Sequence, residues 1–139
     1  MRPAADIPGR TPSARTRIGR TAEDLAAAYL TLRGFDILER NLRLGPLEID
    51  LVASTGEWIV LVEVRYRGRT DRGLPEETIH PGKRRRLLRA GEAYWMRYRP
   101  ERRRLRFDLV SLSVTAEGMR LRHYPHFLVP GERDHFVRA

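Results

Sequence analysis

EIDLVASTGEWIVLVEVRYR, residues 48–67, decides the fold. It reads as two apolar strands joined by a tight turn at residues 54–57. The first strand nonetheless carries Glu48 and Asp50, and the second carries Glu63 and Arg65. A carboxylate in so apolar a setting is costly unless something compensates it. Side chains alternate along a strand, so Glu48 and Asp50 share one face, as do Glu63 and Arg65. If the hairpin pairs with those faces together, Asp50 and Glu63 lie side by side. Neighbouring carboxylates in a sheet repel each other, and a divalent cation between them removes the repulsion. Mg²⁺ prefers carboxylate oxygens plus water and commonly serves phosphate chemistry. Such a metal activates water and stabilises charge on a phosphodiester. The competing reading pairs each acid with one of the plentiful arginines, and Glu48 suits that reading better than a ligand role. His80, His123, His126 and His135 are scattered without ligand spacing, which argues against a histidine metal site.

Outward from this hairpin, the pattern predicts seven elements. Thr21 suits an N-cap, with Glu23 and Asp24 in the first turn. Ala22, Leu25, Ala26, Tyr29 and Leu32 recur at helical spacing, with Glu23 on the flank of the stripe, and Gly34 ends the helix. Strands are predicted over 35–44, 47–53 and 58–66, the first two divided by Gly45-Pro46. Short turns make these three a meander. Residues 67–82 are polar and rich in Gly and Pro, a long loop of the kind that often carries function. A second helix runs from Lys83 to Tyr98, with Lys83, Leu87, Ala90, Gly91, Tyr94, Trp95 and Tyr98 on one face, and Pro100 stops it. Those aromatics suit a core better than a base-stacking platform. Strands over 105–114 and 119–124 follow, and the tail from Pro125 has no clear assignment. The fold class is α/β or α+β around one mixed sheet. Residues 1–17 read as a flexible basic arm, 18–128 as the domain and 129–139 as a tail.

Composition fits one domain: 139 residues, 41% apolar and no cysteine. Disulfides and thiolate metal sites are excluded. No apolar run is long enough for a membrane span, and the N-terminal stretch lacks the apolar core of a secretory signal, so a cytoplasmic protein is expected. Net charge is +9, and residues 83–106 hold 11 basic and 2 acidic residues. A concentrated excess of that kind suits a polyanion such as nucleic acid. An arginine-rich composition without a partner is the plainer explanation. Lys83 is the one lysine in the chain.

The chain resembles the YraN-like family of small bacterial proteins. The match runs over residues 17–127 and rests on Gly19, A-E at 22–23, Ala26, Y-L at 29–30, R-G-F at 33–35, R-N at 40–41, E-I-D-L at 48–51, V-E-V-R at 62–65, Lys83 and R-F-D at 106–108. The resemblance implies a restriction-endonuclease-like αβββαβ core, a central sheet flanked by two helices, similar to Holliday junction resolvases. It implies the PD-(D/E)xK arrangement: Asp50, Glu63 and the Val64 carbonyl on Mg²⁺ or Mn²⁺, Glu23 joining them directly or through water, and position 65 as the lysine of E-x-K. Ala22 and Leu47 stand where the family usually has glycine before the acid. Arg65 departs further, because arginine stays protonated and cannot act as a base, although it can neutralise charge on a phosphorane. Lys83, on the sheet-facing stripe of the second helix, offers a substitute amine.

The expected function is metal-dependent phosphodiester hydrolysis on DNA, with Glu23, Asp50, Glu63, Arg65 and Lys83 in catalytic roles. Arg84, Arg85, Arg86, Arg89, Arg102, Arg103 and Arg104 are expected to contact phosphates, which positions a duplex without reading its sequence. A branched substrate and a homodimer follow from the resemblance alone. Two alternatives stay open: an inactive nucleic-acid-binding module of the same fold, and a module whose arginines meet an acidic protein.

Overall fold

The computed structural model describes residues 14–68, 79–101 and 103–129. The element order is α1 (Ala14–Leu32), β1 (Asp36–Leu44), β2 (Leu47–Thr55), β3 (Trp58–Arg67), α2 (Pro81–Tyr98), β4 (Arg104–Thr115) and β5 (Gly118–Leu128). The strands form one sheet in the order β1-β2-β3-β4-β5. The meander of β1, β2 and β3 is antiparallel, β4 returns parallel to β3 after α2, and β5 closes the sheet antiparallel to β4. This is a mixed α/β fold with the αβββαβ order of a restriction-endonuclease-like core.

Two apolar layers separate the sheet from its helices. Ala22, Ala26 and Leu30 of α1 pack on Leu51, Ala53, Val60, Val62, Val110 and Leu112. Leu87, Leu88, Ala90 and Tyr94 of α2 pack on Ile49, Val52, Ile59, Leu61 and Phe107. Consecutive residues 59–62 alternate between these layers, as expected for a central strand covered on both faces.

Helix ends have local causes. At the end of α1, Gly34 adopts φ 93°, and the Phe35 N–H returns to the Leu30 carbonyl at 3.0 Å. Helix α2 starts two residues before the predicted Lys83, because His80 caps it: its Nδ1 accepts from the Gly82 N–H at 3.0 Å, and Pro81 opens the helix. It ends at Arg99, left-handed at φ 40°, just before Pro100.

Two boundaries differ from the sequence reading. Helix α1 begins at Ala14, so Thr21 is not its N-cap, and Ala14 to Arg17 belong to the helix rather than to the arm. The Thr21 hydroxyl donates to the Arg17 carbonyl one turn back, at 2.9 Å, as a mid-helix threonine does. Strand β5 runs on to Leu128 instead of stopping at Tyr124. Its register jumps between Leu109↔Tyr124 and Phe107↔Leu128. Pro125 and the left-handed His126 (φ 51°) bulge there, which hides the continuation from any alternation pattern. The remainder of the predicted arm, most of the 67–82 loop and the C-terminal tail lie outside the described residues.

Candidate functional site

The ladder between β2 and β3 runs from Thr55↔Trp58 to Leu51↔Val62 and stops. The next residues in register are Asp50 and Glu63. In place of a further ladder bond, the Val64 N–H donates to Asp50 Oδ2 at 2.8 Å. Burial, followed by the Glu63 charge, pushes the Asp50 carboxyl up to about 8; Glu23 adds to the rise, while the Val64 amide and Lys83 oppose it. The two acids are therefore neighbours, as the hairpin reading expected.

Strict alternation would group Ile49 with Leu51 and Ala53. Ile49 instead packs under α2, while Leu51 and Ala53 pack under α1. Across from this break, between the pairs Arg40↔Leu51 and Leu42↔Ile49, stands Asn41. Its backbone is left-handed, at φ 50° in mid-strand. Asp50 thus lies where the strand changes faces. That position explains how Glu23 from α1 and Lys83 from α2, on opposite sides of the sheet, both act on its carboxylate.

Lys83 reaches the site from the first turn of α2, with Nζ 2.8 Å from Glu63 Oε1. Glu63 thus pairs with the single lysine of the chain. Glu23 is half-buried; desolvation raises its pKa against a hydrogen bond from the Asn41 side chain and the charge of Arg40. Val64 and Tyr66 pack toward α1, which turns Glu63 and Arg65 to the α2 face. Glu48 is exposed and makes a loose pair with Arg43 at 3.9 Å, in keeping with its reading as an arginine partner.

Among the described residues, no three Asp, Glu, His or Cys side chains stand close enough to form a ready-made ligand set. The metal reading rests on two carboxylates, Asp50 and Glu63, with Glu23 in electrostatic reach. That donor set fits Mg²⁺ or Mn²⁺, which need one or two carboxylates plus water. The Lys83 ammonium already supplies one positive charge at Glu63. A void of only about 10 Å³ reaches Glu63 from the α2-side core, between the buried Ile49, Leu61, Leu87 and Phe107. A larger apolar groove of about 280 Å³, between Ile18, Leu25, Tyr66, Leu112 and Met119, is lined by none of the acids.

The predicted phosphate-binding arginines divide. Arg85, Arg86 and Arg89 are exposed on α2. Arg84 donates to the Val129 carbonyl at 2.9 Å. Arg103 donates to the Gly56 carbonyl at 3.1 Å. Arg104 pairs with Glu57 at 3.7 Å and lies over the Trp58 ring. Arg103 and Arg104 thus brace the β2–β3 turn, five residues along β3 from Glu63, or roughly 16 Å at ~3.3 Å per residue. Arg102 lies outside the described residues.

A second polar cluster was not foreseen. Asp108 is fully buried on the α1 face. Arg106 donates to both its oxygens at 3.0 and 2.9 Å, His123 Nε2 approaches Oδ2 at 2.7 Å, and the His126 N–H donates to Oδ1 at 3.1 Å. With Nε2 donating, a neutral His123 leaves Nδ1 to accept from the Tyr29 hydroxyl, 3.3 Å away. These donors hold the Asp108 pKa below its usual value against desolvation. The one sequence signal was an acid inside the apolar run LRFDLV. Ser111, the register partner of Arg65, also escaped notice; its buried hydroxyl has no hydrogen-bond partner among the described residues.

Comparison with known proteins bears on the same segment. The model of the uncharacterised protein family UPF0102 matches residues 22–112, from the helix that carries Glu23 to the end of the buried part of β4. The chain belongs to this family. It is 41% identical over 111 residues to a UPF0102 protein of Anaeromyxobacter dehalogenans, covering 80% of this chain and 83% of the relative. A UPF0102 protein of Syntrophotalea carbinolica is 35% identical over 111 residues, 80% of this chain and 90% of its own. One of Dehalococcoides mccartyi is 38% identical over 107 residues, with 77% and 88% covered. The YraN-like resemblance read from the sequence is to this same family. Among the described residues, no helix is long and apolar enough to cross a membrane.

Proposed function

We propose that this UPF0102 member is a metal-dependent nuclease acting on DNA. The observation that carries the reading is the meeting of Asp50, Glu63 and Lys83 at the end of the β2–β3 ladder, with Glu23 acting from the other helix. Two carboxylates held together in a half-buried site share the Lys83 ammonium, and Asp50 is still pushed up to about 8. A bound Mg²⁺ or Mn²⁺ would supply further positive charge and Lewis acidity toward a phosphodiester.

The chain's own residues do the rest. Asp50 and Glu63 would hold the ion, and the Val64 N–H fixes the Asp50 carboxylate. Lys83 provides the titratable amine that Arg65 cannot, and Arg65 offers permanent positive charge to a phosphate. Exposed Arg85, Arg86 and Arg89 extend positive charge along α2 from Lys83. A cytoplasmic location belongs to this reading, and a branched two-fold substrate would call for a homodimer.

Calorimetric titration of Mn²⁺ into the wild type and Asp50→Ala, each with and without a short duplex, tests it. Saturable binding that Asp50→Ala abolishes is expected, followed by Mn²⁺-dependent cleavage. Arg65 favours a second reading, an inactive DNA-binding module. That reading gains if Asp50→Ala keeps or improves duplex affinity with no metal dependence. Absence of duplex binding at low ionic strength would remove both and leave an acidic protein as the partner.

A further inference from the structure

The register of β3, β4 and β5 gathers positive charge on one face of the sheet. Tyr66, Leu112 and Leu121 pack in the layer under α1, and His123 meets Tyr29 of that helix. Alternation then turns Arg65 and Arg67 of β3, Ser111 and Ser113 of β4, and Arg120 and Arg122 of β5 to the α2 face. The pairings Arg65↔Ser111↔Arg122 and Arg67↔Ser113↔Arg120 align them as two Arg-Ser-Arg rows. Within a row the arginine backbones lie about 10 Å apart, at ~4.8 Å per strand, and the rows are roughly 7 Å apart at ~3.3 Å per residue. The adjoining row holds Glu63, Leu109 and Tyr124, so the rows begin beside the Glu63–Lys83 pair. Among the described residues, the α2-side apolar layer takes in no residue of β3 after Leu61 and none of β4 after Phe107, and it stops short of these rows.

Like charges on neighbouring positions of one sheet face repel, and four arginines share this one. Ser111 lies between two of them. Its hydroxyl is fully buried and has no hydrogen-bond partner among the described residues. A guanidinium donates and does not accept, so the flanking arginines leave the hydroxyl proton without an acceptor. An anion seated in the row supplies that acceptor and offsets the repulsion. Arg65, Arg67 and Arg122 each make a contact within the chain, and a guanidinium with five N–H donors keeps others for a ligand.

We propose that the two rows form a phosphate-binding track that carries the backbone of the DNA strand past Glu63. The proposal rests on the DNA reading above and adds where the strand lies. Arginine forks match phosphate oxygens bidentately, and serine hydroxyls donate to the same oxygens. Two rows in succession along the strands suit consecutive phosphates of one chain better than a single small anion. Arg120 and Arg122 are exposed on β5, an edge strand, so a polymer enters the track from that edge and runs toward the acids.

Fluorescence anisotropy on a labelled duplex, in a salt series without divalent metal, tests the track. Arg120→Ala with Arg122→Ala should weaken duplex binding on the order of 10-fold or more at low salt. It should also lower the slope of log affinity against log salt by about 2 units. Arg120→Gln with Arg122→Gln, which keeps more of each stem, is the second variant should alanine lower the melting temperature. Arg33→Ala with Arg97→Ala removes the same charge from exposed positions at the helix ends and should leave the slope nearly unchanged. Ser111→Ala should weaken binding several-fold without lowering the melting temperature, since the hydroxyl leaves no partner behind. A wild-type slope in the β5 variant, or an equal drop in the helix-end control, overturns the track. So does a Ser111→Ala protein that melts lower and binds as the wild type does. Mn²⁺ binding and cleavage by the wild type would then leave the nuclease reading standing. If the β5 variant loses duplex binding and the wild type neither binds Mn²⁺ nor cleaves, the track stands and the inactive module replaces the nuclease. A wild type that binds no duplex removes both.

Discussion

At Asp50 the folded chain holds a proton that an unfolded aspartate releases near 3.9. A raised folded pKa destabilises the native state wherever the unfolded chain is already ionised. Stability from this group is complete below about 3.9, declines as pH rises toward about 8, and is flat above. Asp50→Asn removes the titration. In thermal melts without divalent metal, it should exceed the wild type by about 5 °C or more at pH 8, with the gap closing by pH 4. A gap independent of pH would refute the burial of this charge. Lys83 makes a complementary prediction. Lys83→Gln should slow Mn²⁺-dependent cleavage of labelled DNA on the order of 100-fold or more. Adding Arg65→Lys should recover part of the rate by restoring E-x-K, and failure to recover would mean that the amine works only from α2. That Asp50 and Glu63 adjoin was legible in the sequence, because acids stand out in an apolar hairpin whose turn sets the register; the contact of Lys83 with Glu63 was not, because a lone lysine on an apolar stripe does not say which acid it meets. Asn41 was not, since alternation presumes a regular strand and the site lies where alternation breaks.

The elements that carry the site are held by contacts remote in sequence. Asp108 ties together β4, the β5 bulge through the His126 amide, and, via His123, Tyr29 of α1. Removing it would leave the Arg106 guanidinium, 12% exposed, and His123 without their acceptor. Asp108→Ala should therefore cost about 3–5 kcal/mol in urea unfolding, the penalty of a broken buried pair. Asp50→Ala should cost far less or stabilise, because that carboxylate is strained rather than paired. Equal costs would mean that the Asp108 cluster does not anchor β5. The sign with pH is opposite to that of Asp50: a lowered folded pKa gives stability present above about 3.9 and lost as pH falls through the folded value. The order of helices and strands was readable because period and turn residues are local. The continuation of β5 was not, because its bulge is closed by an acid on another strand. The start of α1 was missed for a related reason: Thr21 looks like a cap by type, but its hydroxyl is satisfied one turn back inside the helix.

For the whole molecule, the net charge of +9 matters less than where the arginines are engaged. Arg103 and Arg104 are tied to the β2–β3 turn, while Arg85, Arg86 and Arg89 stand exposed on the helix that delivers Lys83. Arg89 is six residues beyond Lys83, about 9 Å along the axis at ~1.5 Å per residue, within one Debye length at moderate salt. A polyanion drawn to α2 therefore passes the acids, whereas one drawn to the turn does not. Each phosphate contact on duplex DNA contributes about 0.9 to the slope of log affinity against log salt. Replacing Arg85, Arg86 and Arg89 with alanine should lower that slope by between 2 and 3 units, a range estimated from the same counterion rule, and weaken binding at low salt with little effect on stability. Replacing Arg103 and Arg104 should do the reverse, since their loss frees the Gly56 carbonyl and uncovers Trp58. Fluorescence anisotropy across a salt series, paired with thermal melts, separates the two. If the turn variant changes the slope and the helix variant does not, the polyanion meets the other end of the sheet, and the acids at Asp50 and Glu63 lie away from its path.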